Sequence, residues 1–309
     1  MSDFHNYNIF DLANSPKRVY GLADGLLPEM AEAMGYGLGA TPTTETLQGF
    51  IGHIGPAKTL QDNIGLVQER LATSSDAVTI ASDWAERSGS LQEMHGSFAD
   101  PEVPYPSSLK VAVFNTAVGR WQERRAKKVL ELIKRGVDIR HVAIFAGNRA
   151  MAEAEHPEVS KIAKQDGNLP TEARFAELYT AKILRSAGVD TDVISVDSSV
   201  GDEIFKEGLT LNEWLFNYQV LAVGNAPSTV QVAGQYRKAA RSIKGWDNSS
   251  RQLFMAGDRI PVARHGEGPA THQNPFTALG QIARNALILH EQSQSQPFNS
   301  DRQLKPLDA

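Results

Sequence analysis

The 309-residue chain contains no cysteine. Disulfides, thiolate nucleophiles and cysteine-ligated zinc are therefore excluded. It has no basic excess either: 31 Lys and Arg against 36 Asp and Glu leave a net charge of −5. That argues against a nucleic-acid partner, which needs a basic face, yet leaves room for a locally basic site for a small anion. No run approaches the about 18 apolar residues of a transmembrane helix, so no membrane partner is expected. The opening Met1-Ser2-Asp3-Phe4-His5-Asn6 lacks the basic and apolar regions of a signal peptide. A cytoplasmic location is the resulting expectation. Also missing are HExxH, the EF-hand loop, GxSxG, the Walker loop and GxGxxG, so no motif names a metal, a serine nucleophile, ATP or NAD.

What is present is the composition of a globular protein, 41% hydrophobic and 22% charged, long enough for one large domain or two ordinary ones. The clearest boundary is Asp100-Pro101-Glu102-Val103-Pro104-Tyr105-Pro106, where each proline lacks a donor and extends its predecessor. Residues 1–106 are expected to be a helical region and linker, 107–292 an α/β domain, and 293–309 a polar, disordered tail. Apolar residues at three and four spacing predict helices over 47–54, 57–71 and 77–87, with Thr43 to Glu45 and Ser74 to Asp76 as their starts. The Gly-Tyr-Gly-Leu-Gly run at 35–39 reads as a turn or hinge; it lacks the preceding strand of a phosphate loop.

From the linker onward, short apolar runs alternate with helical stretches. The runs are 109–114, 141–145, 192–196, 218–223 and 252–257; the helices are 119–135, 171–187, 200–207, 228–243 and 275–291. This alternation predicts a three-layer, Rossmann-like parallel sheet. Ligands in such sheets bind outside the carboxyl ends of the strands. The polar residues ending each run should therefore converge on one edge: Asn115 and Thr116, Gly147 to Arg149, Asp197 to Ser199, Gly224 to Thr229, and Asp258 with Arg259. The connection 149–170 is long and holds many carboxylates, which suits a lid or a variable surface loop.

Gly224 to Thr229 carries the strongest local signal. Gly224 allows close backbone approach, Asn225 is polar, Pro227 suits a first helical turn, and Ser228 or Thr229 can cap it. Such a helix start can bind phosphate or carboxylate; an ordinary capped turn is the plainer alternative. Thr171 reads as the cap of the helix opening with Glu172. Asp197 can bind a hydroxyl or act as a general base, or simply cap a helix. Arg264, His265 and Glu267 lie on a glycine-rich stretch, where His265 can serve as acid or base and Arg264 can close on an anion. Arg120, Arg124, Arg125, Lys127 and Lys128 read as a solvated helix face, of which Arg120 and Arg124, nearest the strand end, are the ones that could point at a ligand.

The stretches Arg125-Ala126-Lys127-Lys128-Val129-Leu130-Glu131-Leu132, Phe145-Ala146-Gly147-Asn148, Thr171-Glu172-Ala173, Ala187-Gly188-Val189 and Asp197-Ser198-Ser199 occur in an order that resembles the YdcF/SanA-like family of uncharacterised bacterial Rossmann-like α/β proteins. The resemblance covers roughly residues 109–243. It departs after the fourth strand, where that family has a His and then an Arg and this chain has Asn225, Ser228 and Thr229. It implies a Rossmann-like sandwich and, for some relatives, S-adenosylmethionine binding; it implies no reaction.

The functional expectation is an enzyme, a transferase or hydrolase, acting on an anionic, nucleotide-like or phosphorylated small molecule. Glu172, Asp197 and His265 are its candidate catalytic residues. Asn115, Gly147, Asn148, Gly224, Asn225, Ser228, Thr229 and Arg264 are its candidate ligand contacts. The alternatives are a non-catalytic binding protein using the same cleft and an assembly protein whose N-terminal helices drive homo-oligomerisation. No motif identifies a cofactor.

Overall fold

The computed structural model describes residues 25–39, 42–55, 60–71, 77–88, 94–98, 105–198, 201–226, 228–244, 253–262 and 274–294. Six strands make one sheet: β1 (Met94–Ser97), β2 (Val111–Asn115), β3 (His141–Gly147), β4 (Asp190–Val196), β5 (Val220–Asn225) and β6 (Leu253–Asp258). Their order is β1-β6-β5-β2-β3-β4. β2 to β6 run parallel, and β1 pairs antiparallel on the open edge of β6, with Met94 opposite Gly257. The chain is thus an α/β protein with a three-layer, Rossmann-like sheet and an N-terminal helical region.

Residues on alternate positions of each strand enter different cores, as the two-residue strand period requires. Val111, Val113, Phe145, Val220 and Ala222 face one layer, with α9 (Gly201–Leu211), α10 (Ser228–Lys244) and α11 (Pro275–Gln294). Ala112, Phe114, Ile144, Leu221 and Val223 face the other, with α5 (Gly119–Lys134) and the helical run α7 (Glu172–Phe175), the π segment Ala176–Ala181 and α8 (Lys182–Arg185). Gly208 lets α9 lie directly on β3, since a Cβ there would meet Phe145 Cδ1 at 2.4 Å.

The N-terminal helices are α1 (Leu26–Ala33), α2 (Thr44–Ile54), α3 (Leu60–Leu71) and α4 (Ala77–Arg87). Thr43 starts α2 with a reciprocal capping box to Thr46. Leu47, Phe50, Trp84 and the face of α11 built from Leu279, Ile282 and Ala286 share one core with the sheet. Gly35 and Gly39 bound the turn between α1 and α2 with φ of 74° and 76°. The Ser74-Ser75-Asp76 start and most of the proline-rich boundary lie outside the described residues.

Two sequence expectations are corrected. The segment before the boundary is not helical throughout: Met94-His95-Gly96-Ser97 is strand β1. Four residues with a central glycine carry little periodicity, and it is the unfilled hydrogen-bonding edge of β6 that orders them. The connection 149–170 is not an irregular loop, because it contains α6 (Pro157–Asp166). Pro157 occupies its first turn, His156 Nδ1 accepts from Glu158 N at 3.1 Å, and Gly167 ends it in the left-handed region. Val159 and Ile162 bury against Phe175 in a small core of their own. Among the described residues no helix is long and apolar enough to cross a membrane.

Candidate functional site

The strand order reverses between β2 and β5. From β2 the chain steps outward through β3 to β4, then returns to β5 on the other side of β2. Such a switch point opens a crevice between the two following helices. Here α5 starts at Gly119 and α10 at Ser228. The α5 start has no side-chain cap, so the positive end of its dipole lies at this edge.

Arg125 dominates the crevice. It projects from the second turn of α5 and is only 4% exposed. Nη1 donates to the Asn115 carbonyl and to Asn115 Oδ1, the latter at 2.9 Å, and Nη2 approaches Ser228 Oγ at 3.5 Å. The guanidinium therefore crosses the top of the sheet, from the α5 layer to the α10 layer. Nε has no acceptor among the described residues. Burial pushes the guanidinium down to about 10, with the negative charge of Glu172 working the other way. It remains a cation at neutral pH, held by neutral oxygens rather than by a hydrogen-bonded carboxylate.

Glu172, 7% exposed, forms the second part of the site. Oε2 accepts from Thr116 Oγ1 at 2.9 Å; Oε1 accepts from Arg149 Nε at 3.0 Å and Nη2 at 2.6 Å. Arg149 is in turn held by both Glu155 oxygens, at 2.8 and 2.9 Å. Hydrogen bonds to Glu155, then to Glu172, raise the Arg149 guanidinium above its usual value, and those from Arg149 hold the Glu155 carboxyl below its own. Glu172 is thus positioned by the Thr171 cap, which accepts from Arg174 N at 3.2 Å, and sits between one buried and one partly exposed arginine.

A third, exposed group joins β3 and β4. Asn148 Nδ2 donates to Asp197 Oδ1 at 2.7 Å, and Ser195 Oγ donates to Asn148 Oδ1 at 2.9 Å. Asp197 keeps its second oxygen outside this pair. Gly147 allows the Ser198 carbonyl to close over the edge, at 2.9 Å from where a Cβ would stand.

At β5, the space that Gly224 leaves is taken by the chain itself. A Cβ on Gly224 would lie 2.6 Å from Thr229 Cα, and one on its neighbour Gly257 2.0 Å from Thr229 Oγ1. The two glycines let the first turn of α10 lie on the sheet, which buries Thr229 completely. Ser228 Oγ donates to the Asn225 carbonyl at 2.8 Å and accepts from Asn225 N at 3.3 Å. Asn225 shares the sheet face of Leu221 and Val223, and its Oδ1 is buried with no donor among the described residues.

The structure thus gathers Asn115, Gly147, Asn148, Glu172, Asp197, Asn225 and Ser228 on one edge and places Thr229 beneath it. Arg264 and His265 lie outside the described residues. The solvated reading of the basic helix is corrected, since Arg125 and Lys128 are 4% and 3% exposed. Lys128 pairs with Asp258 at 2.9 Å. The signal was in the register, because Arg125 lies on the stripe of Val129 and Leu132, four and seven residues on. Among the described residues no three His, Cys, Asp or Glu side chains are grouped to hold a metal. A separate groove of about 690 Å³ lies between α2, α10 and α11, along α10 from Gln231 to Arg241. Comparison with protein-family models, curated proteins and solved structures finds no match for the chain.

Proposed function

We propose that this chain is a small-molecule enzyme, a transferase or hydrolase, that binds an anionic, nucleotide-like or phosphorylated ligand across the β2–β5 crevice. The observation that carries the reading is Arg125: a buried guanidinium with no hydrogen-bonded carboxylate among the described residues, at a switch point flanked by two helix starts. A buried cation so weakly compensated is costly unless it serves an anion. With the uncapped α5 start it attracts negative charge, as helix N-termini bind phosphate elsewhere. Asp197 is the carboxylate with an oxygen left for a substrate proton.

One observation favours a second reading, a non-catalytic binding protein. Glu172 already accepts three hydrogen bonds, so it acts as a fixed counter-charge and not as a free base. The deciding experiment is a thermal-shift screen with inorganic phosphate, nucleotides, sugar phosphates and S-adenosylmethionine. A ligand at about 100 times its Kd adds about 2.7 kcal/mol of stability. The shift should appear for an anionic member, vanish in Arg125→Met, and persist in Asp197→Ala. Loss of turnover with retained binding in Asp197→Ala supports the enzyme; binding with no turnover in the unsubstituted protein supports the second reading. An unchanged shift in Arg125→Met removes the crevice from consideration.

A further inference from the structure

Lys128 is the base of an open hollow beside the crevice. It lies one turn beyond Arg124 on the same stripe of α5, and only 3% of it is exposed. Nζ pairs with Asp258 Oδ1 at 2.9 Å and with Glu131 Oε2 at 3.5 Å. Asp258 ends β6 beside Asn225 of β5, and its carbonyl accepts from Ala226 N at 2.9 Å. The buried ion pair thus ties the third turn of α5 to the strand-end edge. It brings Arg259, the residue after β6, into the same hollow as Arg124.

The hollow measures about 530 Å³ and is lined by Arg124, Lys127, Lys128, Glu131, Asp258 and Arg259. Every one is ionisable, and four cations face two carboxylates. Both carboxylates are engaged by Lys128, and Glu131 by Arg135 as well. Lys127 is held by Glu123 at 2.6 Å. Arg124 and Arg259 remain. Arg124 is half-buried, with its guanidinium 5.2 Å over the Trp121 ring, and Arg259 is exposed. Among the described residues neither donates a hydrogen bond or joins an ion pair.

Two guanidinium forks over a buried Lys–Asp pair suit a multiply charged oxyanion, since each fork matches a phosphate group bidentately. A hollow with no apolar wall has nothing to offer an alkyl or aryl body. Asp258 stands one strand from Asn225, a spacing of about 4.8 Å, so the hollow opens on the same edge as the crevice. Resting on the crevice reading, we infer that the hollow is a second anion subsite for the same ligand. That ligand carries a chain of phosphate groups, one end at Arg125 and the other between Arg124 and Arg259.

The test is calorimetric titration of the full chain with inorganic phosphate and inorganic tripolyphosphate. Tripolyphosphate should bind at least about tenfold more tightly than phosphate. Arg124→Gln with Arg259→Gln should remove that preference and leave the phosphate affinity unchanged. Lys161→Gln with Lys182→Gln, an equal loss of charge at exposed positions on α6 and α8, should leave the preference intact. Arg125→Met should weaken both probes, which tests the crevice itself. If both probes bind Arg125→Met unchanged while the preference still follows Arg124 and Arg259, the crevice reading falls and the hollow stands as an anion site in its own right. Absence of tripolyphosphate binding, an affinity no tighter than that of phosphate, or a preference kept in the Arg124 and Arg259 double variant would overturn the inference and leave the crevice reading to Arg125.

Discussion

Arg125 Nη1 lies 2.9 Å from Asn115 Oδ1, so the cation that closes the switch point is held by an amide and not by an acid. This has a consequence for stability. Removing one partner of a buried ion pair strands the other, but among the described residues Arg125 leaves no hydrogen-bonded carboxylate behind.

Arg125→Met should fold: it relieves the desolvation of a buried charge but takes a donor from Asn115 and a counter-charge from Glu172, so the net loss should stay below about 3 kcal/mol. Arg125→Lys should be less stable than Arg125→Met, because an ammonium keeps the desolvation cost and loses the planar fork to Asn115 and Ser228. Calorimetric melting of the three proteins checks both statements. A drop of more than about 3 kcal/mol in Arg125→Met would make the residue a structural one, whatever it does to ligands.

Gly224 and Gly257 both face Thr229, but only Gly224 also meets its backbone. A Cβ on Gly257 meets the hydroxyl at 2.0 Å; a Cβ on Gly224 meets the hydroxyl at 2.7 Å and the backbone as well, Cα at 2.6 Å and N at 2.8 Å. Each alanine substitution should cost about 1–3 kcal/mol by overpacking. Thr229→Ala alone should be mild, because its Oγ1 has no hydrogen-bond partner among the described residues. In double-mutant cycles Thr229→Ala should restore about 1 kcal/mol or more to Gly257→Ala and less to Gly224→Ala, where the backbone clash stays. Equal rescue of both would show that the helix start shifts as a unit.

How far the sequence reached follows from which signals are local. Parallel strands between helices were legible from apolar runs that end in small polar residues, and that alone located the edge carrying Asn115, Asn148, Asp197 and Asn225. Thr43 and Thr171 were legible as caps because a cap is set by neighbours three residues away. β1 was not, since its order comes from the β6 edge, far along the chain. α6 was hidden because Pro157 and Gly167, the residues that bound it, stand in a long run dense in carboxylates with only Val159 and Ile162 to bury. Arg125 was hidden by its own charge: five basic residues in nine look solvated, and only their register against Val129 and Leu132 separates the buried from the exposed. At Gly224, sequence can show that something approaches closely, but not that Thr229 does so instead of a ligand.

The Arg149 strap should give the protein a specific acid sensitivity. Hydrogen bonds from Arg149 hold the Glu155 carboxyl below its ordinary 4.5, although burial opposes them. Because the folded value lies below the unfolded one, the unfolded chain binds more protons as the pH falls, and stability drops with it. The contribution is complete above about 4.5 and is lost as the pH falls through the lower, folded value. Arg149 is 42% exposed, so screening by water limits the effect to about 0.5–1 kcal/mol. Glu155→Gln should keep the acceptor for Ala152 N, which now bonds Oε1 at 2.8 Å, while losing the charge. Urea midpoints should then differ between the two proteins at pH 7 and converge by pH 3. A difference that survives at pH 3 would mean that Glu155 contributes through shape and hydrogen bonding, and that its charge matters only for holding Arg149 against Glu172.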